Sequence, residues 1–110
     1  MNLRGIAEQL EMEENDFLEI VKLFLETSAL NLEELQSAVM ENDAQGAVRA
    51  AHSIKGAAGN LRLTAVFELA QTMEKQAHEN RLEGAAYAIR AIRENLERIG
   101  ESLKQGNELT

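Results

Sequence analysis

Between Phe17 and Val39 the apolar side chains recur every three or four residues: Phe17, Ile20, Val21, Phe24, Leu32, Leu35 and Val39, with Ser28 in the same register. That period lays them along one face of an α-helix and conflicts with the alternation a half-buried strand requires. The chain contains no proline to break such a helix. The pattern predicts one long helix reaching about Glu41, with Asn15 or Asp16 as its N-cap. Ahead of it, Leu3, Ile6, Ala7 and Leu10 make a short amphipathic turn or two that ends in the acidic stretch Glu11 to Glu14.

The same spacing recurs three more times. Asn42-Asp43 marks a break and a fresh cap, followed by Ala47, Ala51, Ile54, Ala58 and Leu61 on one face. Gly59-Asn60 carries the left-handed signal of a helix C-terminus. Val66, Leu69, Ala70, Met73 and Ala77 define a fourth helix that stops near Asn80. Ala86, Ile89, Ile92, Leu96, Ile99 and Leu103 define a fifth, from about Leu82 to Leu103. Four substantial helices with short connections predict an all-α fold, an antiparallel up-down four-helix bundle with a short additional N-terminal helix. One domain spans 1–105, and 106–110 is expected to be a frayed C-terminal tail.

Charge narrows the function classes. The net charge of −8 argues against nucleic-acid binding, which needs a basic footprint. No run of apolar residues is long enough for a transmembrane helix, and the N-terminus lacks the apolar core of a signal peptide, so a soluble cytoplasmic protein is the expectation. The absence of cysteine removes disulfide and thiolate-zinc chemistry. Although the chain holds 19 acidic residues, none falls between Ala44 and Phe67, where Arg49, Lys55 and Arg62 lie. The window is expected to form a local positive island suited to an anion.

Within that window His52 stands out. Ala51, Ile54 and Ala58 point to the core, so His52 falls on the outer side of its helix with Gln45, Arg49, Gly56 and Gly59, and Lys55 lies one turn on. Gly46, Gly56 and Gly59 together cost about 2–3 kcal/mol of helix propensity. Close approach of a partner's backbone accounts for outward glycines, and tight helix crossing is the competing account. A neutral imidazole is nucleophilic, and its ordinary pKa near 6.5 leaves much of it neutral at pH 7. An exposed imidazole with room around it and a cation beside it suits a residue that picks up and hands on a phosphoryl group.

The run Ala51-His52-Ser53-Ile54-Lys55-Gly56-Ala57-Ala58-Gly59-Asn60-Leu61 resembles the signature of histidine-containing phosphotransfer (HPt) domains, His-x-x-Lys-Gly followed by small residues. Glu68-Leu69-Ala70 and Met73-Glu74 resemble the family's next helix. One position departs: ten residues after the histidine, where the family usually carries a small residue, this chain has Arg62. The resemblance implies that His52 relays a phosphoryl group between receiver-domain aspartates in a multistep two-component phosphorelay. Lys55 would stabilise the phosphate charge and Gly56 would keep the approach open. The implied partners are response-regulator receiver domains and a hybrid sensor histidine kinase. The domain itself would carry no cofactor, no metal and no autokinase activity, with Mg²⁺ on the receiver, and would be a monomer.

The docking face is expected around His52, from Gln45, Val48, Arg49, Ser53, Gly59 and Asn60, with Leu3, Ile6, Leu10, Phe17 and Phe24 as possible apolar contributors. Other readings remain open: a helical bundle that only binds, or the phosphoacceptor domain of a chemotaxis-type kinase phosphorylated by a kinase domain. Glu74 and His78 stand four apart on one helix, but two ligands do not make a metal site.

Overall fold

The computed structural model describes the backbone of residues 2–109 and the side chains of residues 2–105. It contains five helices: α1 (Leu3–Gln9), α2 (Glu14–Met40), α3 (Ala44–Asn60), α4 (Thr64–His78) and α5 (Ala85–Leu109). No strand occurs among the described residues. α3 packs between α2 and α4, α5 closes the bundle against α2 and α4, and α1 lies on α2. The all-α bundle with a short extra N-terminal helix therefore stands as the sequence predicts it. α5 carries helical backbone through 106–109, whereas the side chains of the expected tail, 106–110, lie outside the described residues, as does Thr110 altogether.

Apolar periodicity drives the assembly. Phe17, Val21, Leu35, Ile54, Met73, Ile92 and Ile99 are fully buried, each on the inward stripe of its helix. Two stripe assignments change. Ile20 lies at the rim of the core arc of α2 and is exposed, whereas Ala38, five turns on along the same line of the helix, is buried beside Gly46 of α3. Ala86 is exposed and its neighbours Ala85 and Ala88 are buried, because α5 begins at Ala85 and Leu82 stands outside it. Ser28 is the one buried polar side chain among the described residues, and its hydroxyl has no hydrogen-bond partner.

The helix ends share one device. After α1, α2, α3 and α4 the chain turns through a left-handed residue: Glu11, Asn42, Arg62 and Asn80, each with φ between 54° and 60°. At α3 the Arg62 amide donates to the Gly59 carbonyl at 3.2 Å and the Leu63 amide to the Ala58 carbonyl at 2.9 Å, the paired bonds of a Schellman cap. Gly59 and Asn60 remain helical, so the left-handed position sits two residues beyond where Gly59-Asn60 predicts it. Arg62 occupies a conformation that favours glycine, which gives a backbone reason for a small residue there.

At the N-termini, Asp43 caps α3 as expected, its Oδ1 accepting from the Gly46 amide at 2.9 Å. Asn2 caps α1 by the same geometry with Gly5. α2 differs from expectation: it begins at Glu14 behind an extended Glu13 that makes no side-chain cap, which leaves Asn15 and Asp16 inside the first turn. Glu14 and Asp16 there face the positive end of the helix dipole.

Candidate functional site

α3 carries His52 outward, its side chain 65% exposed, and α4 meets it from the side with Glu74. The His52 Nδ1 lies 2.8 Å from Glu74 Oε2. The Lys55 Nζ lies 2.6 Å from the other carboxylate oxygen, Glu74 Oε1. One turn of α3 thus presents a histidine and a lysine to a single carboxylate that is only 12% exposed. Burial pushes the Glu74 pKa up, but hydrogen bonds from Lys55 and His52, with the attraction of their charges, outweigh it and hold the group below its ordinary 4.5.

That carboxylate fixes the chemistry of the imidazole. An ionised Glu74 can only accept, so the nitrogen facing it, Nδ1, must be the one that donates. In a neutral ring the lone pair then belongs to Nε2. The arrangement yields an exposed imidazole with one defined basic nitrogen and an anion behind it. Charge that develops on the ring when Nε2 bonds to an electrophile is met by Glu74.

Glu74 is the residue that helix-by-helix reading does not find. Its place on the helix after the histidine is visible in the sequence, but its spacing to His78 points only to a pairing along α4. The structure turns it the other way, onto α3, and leaves His78 exposed at the last position of α4. No group of three or more potential metal ligands occurs among the described residues.

The other candidates divide. Gln45, Arg49, Ser53, Gly59 and Asn60 are exposed on α3, and Val48 is half-buried against the core. A Cβ added at Gly56 would meet nothing within 4 Å, so that glycine faces open space beside His52. Its two companions answer to packing. A Cβ at Gly59 would stand 3.2 Å from the Phe67 ring of α4, and one at Gly46 would press on Asp43 and stand 3.2 Å from the Ala38 Cβ of α2. Close helix crossing and capping therefore account for Gly46 and Gly59, and the open-approach argument applies to Gly56 alone.

Of the apolar contributors, Leu3, Phe17 and Phe24 are buried in the core and cannot meet a partner, while Ile6 and Leu10 are half-buried. The positive island is also narrower than the acid-free window suggests. Lys55 is paired with Glu74, and Arg49 borders a surface depression lined by Glu33, Glu34, Glu41 and Asp43. Acids from neighbouring helices fill the gap that the linear sequence leaves.

Comparison with known proteins bears on the same residues. The family model of the Hpt domain matches residues 19–102. Among solved structures, the chain is similar to histidine-containing phosphotransfer protein B (HptB) from Pseudomonas aeruginosa PAO1, with a TM-score of 0.79 at 24% identity over 97% of this chain and 93% of that one. It is also similar to the HPT domain of an Hpt sensor hybrid histidine kinase from Shewanella, with a TM-score of 0.79 at 21% identity over 100% of this chain and 95% of that one. At these identities the two likenesses speak to the fold. No curated protein matches significantly.

Proposed function

The chain belongs to the Hpt domain family, and on that footing we propose that it relays a phosphoryl group through His52 between receiver-domain aspartates in a two-component phosphorelay. The observation that carries this reading is an exposed imidazole whose Nδ1 is held by Glu74 at 2.8 Å, beside a glycine with nothing over it. Nε2 attacks the phosphorus of a receiver's aspartyl phosphate. An N–P bond forms, the P–O bond breaks, and the aspartate carboxylate leaves with the electron pair. The Nδ1 proton stays on the ring throughout, donated to Glu74, which balances the positive charge of the phosphorylated imidazole. Transfer to the next aspartate runs the same steps in reverse.

The remaining roles follow from the surroundings. Gly56 leaves room for the receiver's backbone. Lys55 holds Glu74 in place between turnovers and adds positive charge near the phosphoryl group once it is attached. Gln45, Val48, Arg49, Ser53, Gly59 and Asn60 supply the α3 part of the docking face. Catalysis of such a transfer rests on positioning and electrostatics, and the Mg²⁺ that it uses belongs to the receiver. The domain has no kinase chemistry of its own and works as a cytoplasmic monomer, taking its phosphoryl group from the receiver domain of a hybrid sensor kinase.

The test is phosphorylation of the protein by receiver domains carrying an aspartyl phosphate. The label should be acid-labile and alkali-stable, as a phosphoramidate is, and should survive His78→Gln but not His52→Gln. Labelling that persists in His52→Gln and disappears in His78→Gln would sink the assignment.

A further inference from the structure

The seam between α2 and α5 lies across the bundle from the α3–α4 seam that holds His52 and Glu74, since α3 and α5 each pack on α2 and α4. Its outer edge follows a heptad. On α2, Leu25, Ala29, Leu32, Gln36 and Val39 stand four and three residues apart. On α5, Ala86, Ile89, Arg93, Leu96 and Gly100 stand three and four apart. Such spacing on two neighbouring helices makes the holes into which a third helix sets its side chains. Here the holes are open: Ala29, Gln36 and Ala86 are exposed, and Leu25, Val39 and Leu96 are only half-buried. The seam forms two surface depressions that meet at Arg93. Met40 and Ala86 line one of them, and at the other end a Cβ on Gly100 would stand 3.8 Å from the Leu25 Cδ1. From Leu25 to Met40 the groove is about 22 Å long.

One half of this groove is cationic. Arg90 and Arg93 border it one turn apart, both exposed and neither in an ion pair among the described residues. Met40, 81% exposed, lines the same half, and Tyr87, 68% exposed, stands beside Ala86. No acid lines that half, whereas Glu33 and Glu97 line the other. In a chain of net charge −8, two unpaired arginines beside exposed apolar side chains call for an anionic counterpart with an apolar face.

We propose that the α2–α5 groove receives an amphipathic helix of a partner protein, about four turns long, with Asp or Glu beside its apolar stripe where it crosses Arg90 and Arg93. Large apolar side chains of that helix fill the spaces over Ala29, Gln36 and Ala86, and its carboxylates pair with the two guanidinium groups. An anionic membrane is a poorer occupant, because its spread charge would also face Glu33, Glu94 and Glu97, all exposed. The proposal does not depend on the relay reading. It puts the partner on the face away from His52, so the domain is tethered with its imidazole uncovered, at a raised effective concentration toward whatever the partner carries.

The probe is a stapled synthetic helix with Leu at heptad a and d positions, Glu beside them in one half and Gln in the other. A second peptide carries Lys in place of Glu. Titrated into the ¹⁵N-labelled protein, the Glu peptide should shift the amides of Val39, Met40, Ala86, Ile89 and Arg93 and leave those of His52 and Gly56 in place. Arg90→Glu with Arg93→Glu should weaken its binding about tenfold or more and take up the Lys peptide instead. Arg90→Gln with Arg93→Gln should fall between, and Lys75→Glu, on α4, should bind as the wild type does. Thermal melts of all variants should match. Absent shifts, shifts confined to other faces, or undiminished binding in the double Glu variant would overturn the proposal, as would a wild-type preference for the Lys peptide. A wild-type dimer in light scattering that the double Glu variant splits would overturn it in favour of a second copy. Sedimentation of the wild type with phosphatidylglycerol vesicles would overturn it in favour of a membrane.

Discussion

Removing Glu74 tests whether the carboxylate behind His52 contributes to transfer. Glu74→Ala deletes the acceptor at 2.8 Å from Nδ1 and strands Lys55 without its partner at 2.6 Å. A hydrogen bond to a charged group contributes about 1.5–3 kcal/mol, against about 0.5–1.5 kcal/mol for a neutral one. His52 is 65% exposed, so solvent screens the pair and the lower end of that range applies. About 1.5 kcal/mol corresponds to roughly tenfold in rate. Glu74→Gln keeps an acceptor without the charge, and the difference between the two bond classes, about 1 kcal/mol at most, leaves it roughly three- to fivefold slow. The assay is single-turnover transfer from a phosphorylated receiver by rapid quench. It is read beside the ¹⁵N shifts of the His52 ring, which report the tautomer independently of rate. Glu74→Ala should shift the neutral ring away from a purely Nδ1-protonated form. Wild-type transfer together with an unchanged tautomer in Glu74→Ala would refute the argument.

Further outcomes follow from the helix ends, the core and the same carboxylate. Because the folded-state pKa of Glu74 lies below 4.5, its pairing stabilises the fold above the unfolded value, and that contribution is lost as pH falls through the lower folded value. Acid denaturation monitored by circular dichroism should therefore weaken the wild type more steeply below pH 4.5 than Glu74→Gln. Ser28→Ala removes a buried hydroxyl without a partner from the middle of α2 and should stabilise the protein by about 1 kcal/mol, raising Tm by about 4 °C. A lowered Tm would show that the hydroxyl is satisfied after all. Arg62→Gly relieves a φ of 57° and should add about 0.5–1 kcal/mol in urea denaturation once glycine's extra unfolded-state entropy is counted.

What the sequence makes legible is whatever repeats along one helix. The five helices, the Asp43 cap and the outward face of His52 all follow from a period of three to four and from local cap chemistry. The α2 start is missed because a Schellman turn at Glu11 feeds an extended Glu13, so the helix begins ahead of the residues whose side chains favour caps. The left-handed position after α3 is placed two residues early because Gly59-Asn60 carries the usual signal and Arg62, which holds the conformation, does not. Ala86 is placed wrongly because a run of alanines offers no contrast to tell one face from the other. Ile20 lies at the rim of an apolar arc, where periodicity alone does not decide burial.

The site shows the same division. His52, Lys55 and Gly56 lie within one turn or so and can be found together in the sequence. Glu74 sits on another helix, and its bond to His52 exists only because α3 and α4 pack with those two faces together. Gly46 and Gly59 mislead for the same reason, since the Ala38 and Phe67 side chains that explain them come from other helices. Charge behaves likewise: a stretch without acids says little when α2 and α4 bring acids to it.

In the proposed relay the phosphoryl group resides on one nitrogen of one histidine. Two-dimensional ¹H–¹⁵N and ³¹P NMR of the ¹⁵N-labelled protein, charged by a phosphorylated receiver, locates that bond directly. A single phosphoramidate is expected, with phosphorus on Nε2 of His52 and the proton retained on Nδ1 toward Glu74. Phosphorus on Nδ1, or on His78, would contradict it.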